Sequence, residues 1–250
     1  MTPITAVVIT LNEEKNIGRC LDSLVDVAAE VLVIDSGSHD KTCQIAEAKG
    51  ARVIARPWKG YGDQKNFGNS QATHTYILSL DADEALSDEL RSSIVATREA
   101  GLDDVYGFAR LANYCGQWIR HGGWYPNRKI RLFPAAIANW TDDPVHEALS
   151  FHGDPRVTWL KGDLHHYSYY TVQEHRDRAE TYARLGAEKM QRDGQSGLWW
   201  RSRFGPRLRF SKMFFWKLGF LDGAAGYRIA QITAHEVRLK YRLTGGRQRT

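Results

Sequence analysis

Three acids with one alanine among them, Asp81-Ala82-Asp83-Glu84, follow directly on the apolar run Tyr76-Ile77-Leu78-Ser79-Leu80. A strand that stops in Asp-x-Asp sets carboxylates at the carboxyl edge of a sheet, where open α/β sheets bind ligands. Two residues apart on an extended chain, Asp81 and Asp83 share a face. Carboxylates that close repel unless something positive lies between them. A divalent cation, Mg2+ or Mn2+, suits such hard oxygen donors, and the diphosphate of a sugar nucleotide can complete its ligand shell. The same short spacing also fits a polar strand end leading into a helix, so the surrounding chain has to discriminate.

Further candidates are scattered along the sequence. Asp35 ends a second apolar run, Glu30-Val31-Leu32-Val33-Ile34, and opens the turn cluster Asp35-Ser36-Gly37-Ser38. The stretch Cys115-Gly116-Gln117-Trp118-Ile119-Arg120-His121-Gly122-Gly123-Trp124-Tyr125-Pro126 is dense in glycine, aromatics and hydrogen-bonding groups. Such a loop can present flat rings and donors to a sugar, or anchor itself by packing the same rings. Arg128 and Arg131 are suited to a phosphate. His165-His166 offers imidazole to a metal such as Mn2+ or Zn2+, or two ordinary histidines.

These residues need elements to hold them. The β-branched run Ile4–Thr10 predicts a buried first strand, and the runs at 30–35, 51–55 and 76–80 predict three more. Between them the pattern predicts helices around Ile17–Leu24 and Thr42–Lys49, with Asp40 as a cap and Gly50 as the stop, and a short helix through Gln64-Lys65. Ser87–Thr97 reads as a helix with Asp88 and Glu89 well placed near its N-terminus. Strand and helix alternating with short loops over the first ~100 residues signals βαβ units and a parallel sheet. Gly-x-Gly-x-x-Gly after the first strand and a Gly-Lys-Ser/Thr phosphate loop are both missing, which argues against a dinucleotide oxidoreductase or P-loop kinase. Two later strands are expected, at 105–110 and 129–133, and the chain beyond about Gln173 looks helical.

Composition bounds the setting. Among 250 residues, 42% are apolar and 25% charged, enough for a sizeable core. Three cysteines without a Cys-x-x-Cys pair favour a reducing compartment. Neither a signal peptide nor a spanning helix is visible, so the expected location is cytoplasmic. The net charge of +5 conceals an asymmetry: residues 201–250 carry twelve Lys/Arg against two acids, Asp222 and Glu236, so the rest of the chain is net acidic. This basic stretch is preceded by Trp199 and Trp200 and interleaved with Phe204, Phe210, Phe214, Phe215, Trp216 and Phe220. Large aromatics with Lys/Arg suit an anionic membrane interface better than nucleic acid, which needs phosphate contacts but not this much apolar surface; a core helix packed on the first domain is the third reading. No nucleic-acid partner is expected.

Three segments in order, Val8-Ile9-Thr10-Leu11-Asn12-Glu13-Glu14, Val33-Ile34-Asp35-Ser36-Gly37-Ser38-His39-Asp40-Lys41-Thr42 and Leu80-Asp81-Ala82-Asp83-Glu84, resemble the family-2 inverting glycosyltransferases of the GT-A fold. The resemblance covers residues 4 to about 170. More narrowly, residues 115–126, Arg131-Leu132-Phe133 and Pro144-Val145-His146-Glu147 look like the bacterial subgroup that includes lipopolysaccharide core β-1,4-glucosyltransferases. The resemblance implies an α/β GT-A domain over 1–172. Its nucleotide-sugar half would be 1–100, its acceptor half 101–172, and a helical, basic-aromatic extension would fill 173–250.

It further implies that Thr10, Asn12, Glu13, Asp35, Gln64, Lys65, Asp81 and Arg131 hold a UDP-sugar. Asp35 would face the uracil and Lys65 the diphosphate. Asp83 would be the principal ligand of Mg2+ or Mn2+, with Asp81 supporting it. Glu147 would act as general base, with Asp142 and Asp143 as rivals, and Trp118, His121, Trp124 and Tyr125 would contact the acceptor. The implied reaction moves a hexose, glucose from UDP-glucose first among candidates, onto the inner-core heptose of a lipid-anchored glycan. It would take place peripherally on the cytoplasmic face of the bacterial inner membrane. Transfer to a polyprenyl phosphate is the second enzymatic reading, and a non-catalytic nucleic-acid or membrane-binding protein is the reading from another class.

Overall fold

A computed structural model describes residues 2–141, 148–195 and 199–245. The chain forms two compact units, Met1–Arg110 with Asn127–His166, and Leu111–Pro126 with Tyr167–Thr250. This division does not follow the expected boundary at 172. The glycine-aromatic stretch expected in the acceptor half groups with the helical tail, while its Gln117–Ile119 strand still pairs with Ala112–Tyr114 in the sheet.

In the first unit the expected alternation is present: β1 (Ile4–Thr10), α1 (Ile17–Asp22), β2 (Glu30–Asp35), α2 (Thr42–Ala48), β3 (Arg52–Ala55), α3 (Tyr61–Ser70) and β4 (Tyr76–Asp81). After these come β5 (Glu84–Leu86), α4 (Asp88–Ala100), β6 (Val105–Tyr114), β7 (Gln117–Ile119), β8 (Asn127–Pro134), β9 (Ala138–Trp140), β10 (Leu149–Phe151) and β11 (Val157–Tyr169). The main sheet runs β3-β2-β1-β4-β8-β6-β11-β5. It is parallel from β3 to β4, while β8 pairs antiparallel with both β4 and β6, and β5 with β11. The fully buried run of β1 explains its central place, since a strand covered on both faces reads as continuously apolar. Gly68 lets α3 lie against that strand: a Cβ there would stand 2.3 Å from Val7 Cγ1.

The chain steps outward from β1 to β2 to β3, then crosses back so that β4 lies on the other flank of β1. That reversal opens a crevice at the carboxyl ends of β1 and β4, the usual ligand position in open α/β sheets. Thr10 pairs with Asp35 and Ile9 with Asp81, so the three strands end level with one another.

The second unit contains α5 (Val172–Arg192), α6 (Trp199–Ser211) and α7 (Gly223–Gly245). Thr171 and Glu174 form a reciprocal capping box at the start of α5. Tyr114, Ile119, Met213, Ala225, Ile229 and Ala230 make its buried core. Among the described residues, no helix is long and apolar enough to cross a membrane.

Candidate active site

Asp81 is the last residue of β4, but Ala82 and Asp83 form a turn before β5 begins. The two carboxylates thus lie at a strand end and in a turn, not along one extended strand. Each has its own partner. Asp81 Oδ1 lies 3.1 Å from Lys65 Nζ and Oδ2 lies 3.1 Å from Arg131 Nη2. Asp83 Oδ2 lies 3.2 Å from His166 Nε2 on β11.

Glu84 completes the arrangement and was not anticipated as a site residue. It is fully buried, and its Oε1 receives Arg131 Nη2 at 2.9 Å and Arg110 Nη1 at 3.2 Å. Its other oxygen accepts the Asp81 backbone N–H at 3.1 Å, closing the turn. Lys65 is also fully buried, its ammonium 4.5 Å from the centre of the Trp140 ring. Three cations thus converge on two carboxylates in the protein interior. Burial pushes the Asp81 carboxyl up, but Lys65 and Arg131 outweigh it and hold the group well below the usual carboxylate range. For Glu84 burial again opposes ionisation, and Arg131 and Arg110 overcome both that and the repulsion of Asp81.

Three of the expected site residues lie within this network. Asp81, expected as a supporting metal ligand, has both oxygens engaged by protein cations. Lys65 and Arg131, expected to face phosphate, are buried against Asp81 and Glu84. The positive charge that close carboxylates require comes here from side chains. Asp83 with His166 is the pair left for a metal. A carboxylate oxygen and an imidazole nitrogen 3.2 Å apart suit Mn2+ better than Mg2+ in donor type. The described residues hold no set of three such side chains, so the pair fits an ion whose other ligands come from a diphosphate and water.

Beside this cluster the ends of β1 and β2 are knitted together. Asp35 Oδ2 accepts the backbone N–H groups of Gly37 and Ser38, both at 2.9 Å, and Oδ1 accepts the Ser38 hydroxyl. The Cys43 thiol is a further hydrogen-bond partner of this carboxylate, so its four acceptor sites are shared among protein donors. Asn12 takes the left-handed conformation, φ 55°. Its N–H donates to Ser38 Oγ at 2.8 Å and its Oδ1 accepts the His39 N–H at 2.9 Å. The Glu13 N–H donates to Thr42 Oγ1 at 2.8 Å. Asn12 and Glu13 therefore shape the loops around Asp35. Gln64 is buried, its Nε2 donating to Ser36 Oγ at 2.9 Å and to the Arg56 carbonyl at 3.1 Å. Among the described residues, the buried acceptors Gln64 Oε1 and Thr10 Oγ1 have no hydrogen-bond partner. Unsatisfied buried oxygens are uncommon and mark where a ligand's donors can be received.

Glu147, Asp142 and Asp143 lie outside the described residues. The two flanks of that segment are paired: β9 runs antiparallel to β10, and the Thr141 N–H donates to the Ala148 carbonyl at 2.9 Å. Asn66 fastens this hairpin to α3, donating to the Trp140 carbonyl at 2.9 Å and accepting the Trp140 N–H at 2.8 Å. The same Trp140 ring faces Lys65, so the hairpin is rooted on the Asp81 network.

In the second unit the four residues expected at the acceptor divide. Trp124 joins an aromatic cluster with Tyr114, Tyr169 and His175. His121 Nδ1 lies 3.0 Å from the buried Asp222. Trp118 packs edge-on to Tyr167, and Tyr125 lies under the Arg120 guanidinium; both rings are half-buried. Packing therefore occupies Trp124, and the contact with Asp222 occupies His121. Arg128, expected at a phosphate, is exposed over the Trp159 ring at 5.1 Å.

The glycosyl transferase family 2 profile matches residues 5–152, from β1 through β10. An uncharacterized glycosyltransferase of Rickettsia typhi is 31% identical over 237 residues, covering 91% of this chain and 81% of the relative. The lipopolysaccharide core biosynthesis glycosyltransferase LpsC of Rhizobium meliloti is 27% identical over 256 residues, covering 96% of this chain and 94% of its own. Among solved structures, Staphylococcus aureus TarS 1–349 in complex with UDP superposes with a TM-score of 0.50. That match covers 96% of this chain and 91% of TarS at 16% identity, a likeness of fold.

Proposed function

The chain belongs to glycosyl transferase family 2 and has the GT-A fold. From that premise we propose that it moves a hexose from a UDP-sugar onto a lipid-anchored bacterial glycan, with inversion. UDP-glucose is the first donor to test, and the inner-core heptose of lipopolysaccharide is the first acceptor. The full-length similarity to LpsC supports the lipopolysaccharide core as acceptor class.

The observation that carries the donor site is the level ending of β2, β1 and β4 in Asp35, Thr10 and Asp81 at the strand reversal, with Asp83 and His166 immediately beyond. Asp35 would accept the imide N–H of the base in place of one of its present donors. Gln64 Oε1 and Thr10 Oγ1 would receive hydroxyl donors of the sugars. Asp83 and His166 would hold Mg2+ or Mn2+, which when bound offsets the charge of the departing diphosphate. Asp81, Lys65, Glu84, Arg131 and Arg110 form the rigid base on which the turn carrying Asp83 is set. Inversion by single displacement requires a group that takes the acceptor hydroxyl's proton, and Glu147 is assigned that role. Trp118 and Tyr125 keep partly exposed rings for the acceptor.

The test is UDP release from a panel of sugar nucleotides, with and without Mn2+, with heptose-containing core oligosaccharide or polyprenyl phosphate as acceptor. The proposal expects acceptor-stimulated release from a UDP-hexose that stops on chelation. Stimulation by polyprenyl phosphate alone would reassign the acceptor. Release from no UDP-sugar would overturn the donor.

A further inference from the structure

Eight large apolar side chains are exposed between positions 200 and 221: Trp200, Phe204, Leu208, Phe215, Trp216, Leu218, Phe220 and Leu221. Trp216 is 81% exposed, Leu208 65% and Leu221 57%. Scattered exposed apolar residues need no explanation, but a run this dense does. The same stretch contains Arg201, Arg203, Arg207, Arg209, Lys212 and Lys217 and no acid. The next acid, Asp222, is buried and turned inward, accepting the backbone N–H groups of Arg120 at 3.2 Å and His121 at 2.8 Å.

The knuckle that follows α6 is built to hold its shape. Phe214 packs on Phe210, Phe215, Phe220 and Tyr227, with Met213 buried beneath. Gly219 and Gly226 let two backbones touch: a Cβ on Gly226 would lie 1.9 Å from the Gly219 carbonyl oxygen, and one on Gly219 would lie 2.7 Å from the Met213 oxygen. Leu218 is held in the left-handed conformation, φ 57°, an unfavourable state for a bulky residue, yet its side chain is exposed. The Gly122 N–H donates to the Lys217 carbonyl at 2.8 Å, so residues 117–122 and the knuckle are tied at Lys217 and at Asp222.

We propose that residues 200–221 form a preformed insertion surface for an anionic lipid interface, with Phe215, Trp216, Leu218 and Leu221 entering the headgroup boundary and the surrounding Arg/Lys contacting lipid phosphates. Aliphatic leucines cannot stack on bases, which sets nucleic acid aside as the occupant. A second copy would bring the same acid-free basic stretch against itself. An anionic leaflet satisfies both the apolar and the charged component. Because the surface is fixed through Asp222 to the stretch that carries Trp118 and Tyr125, it would hold that stretch at a constant height over the lipid. The inference stands whether or not the donor assignment above is right.

The experiment is vesicle co-sedimentation of the full chain, using phosphatidylcholine alone and phosphatidylcholine containing about one quarter phosphatidylglycerol. Wild type should bind the anionic vesicles, and roughly fivefold more weakly for each of Arg203→Glu and Arg207→Glu. Trp216→Ala with Leu221→Ala should weaken binding about tenfold or more while circular dichroism and UDP-sugar hydrolysis stay unchanged, since both side chains are exposed. Undiminished vesicle binding by the Trp216/Leu221 variant would overturn the proposal. So would a wild-type dimer that this variant abolishes, or duplex DNA binding without vesicle binding.

Discussion

The two units treat positive charge in opposite ways. Lys65, Arg110 and Arg131 in the first unit are wholly or largely withdrawn from water and matched to Asp81 and Glu84 at hydrogen-bond distance. In the second unit, the Arg/Lys between 201 and 217 are exposed along a stretch without acids. A buried ion network fixes geometry, because removing one member strands the others in a poor solvent. An exposed basic surface contributes little to folding and acts on what comes near it. On the two proposals above, the contrast divides precision of the reacting groups in the first unit from attachment in the second.

The largest effect should come from breaking the buried network. Glu84→Gln removes the charge that Arg131 and Arg110 share and should lower the unfolding free energy in urea by about 3–5 kcal/mol. A loss under about 1 kcal/mol would show that the network is not what fixes the turn. Next comes Asp83→Ala, which removes a chemical group from the edge of that network. Transfer should fall about a hundredfold or more while stability changes by less than about 1 kcal/mol. Comparable losses in both would make Asp83 a structural residue.

Acid should separate the two units. Burial pushes the His175 imidazole down to about 4, helped by Arg178. The unfolded ring titrates near 6.5, so the unfolded chain takes up a proton that the folded chain refuses. The stability tied to this neutral ring is complete above 6.5 and is lost as pH falls from 6.5 toward 4. Asp81 and Glu84 have the opposite bias, with folded values below their ordinary ones, so their contribution persists above roughly pH 4 and is lost only below it. Urea unfolding between pH 7 and 5 should therefore weaken in wild type and stay nearly flat in His175→Phe. The smallest effect belongs to the exposed cations: Arg203→Glu and Arg207→Glu should each move urea stability by less than about 0.5 kcal/mol.

Much of this architecture is written locally. The apolar runs of β1, β2 and β4 and the acids that end them are contiguous, so strand, edge and chemistry can be read together. What escaped is non-local or weakly patterned. Glu84 looks like one more acid in a polar turn, because the arginines that define it come from β6 and β8. His166 faces Asp83 only through the pairing of β11 with β5, a three-residue strand too short to announce itself. β11 mixes Lys161, Asp163 and two histidines into its run. It also contains Gly162 at φ 94°, where a Cβ would meet the α4 backbone at Leu90 N, 2.3 Å away. In the sequence that glycine reads as a loop. The stretch at 115–126 was legible as aromatic and glycine-rich, but only folding shows that Trp124 is a packing residue and His121 a partner of Asp222.

The central claim is that the Asp83–His166 pair joins a divalent metal to the diphosphate of a UDP-sugar. Calorimetric titration of UDP into wild type and Asp83→Asn, with Mn2+ and with chelator, tests it most directly. The account predicts UDP binding that requires Mn2+ in wild type and is lost in the variant, with the melting temperature unchanged. UDP binding of equal strength with and without Mn2+, retained in Asp83→Asn, would contradict it.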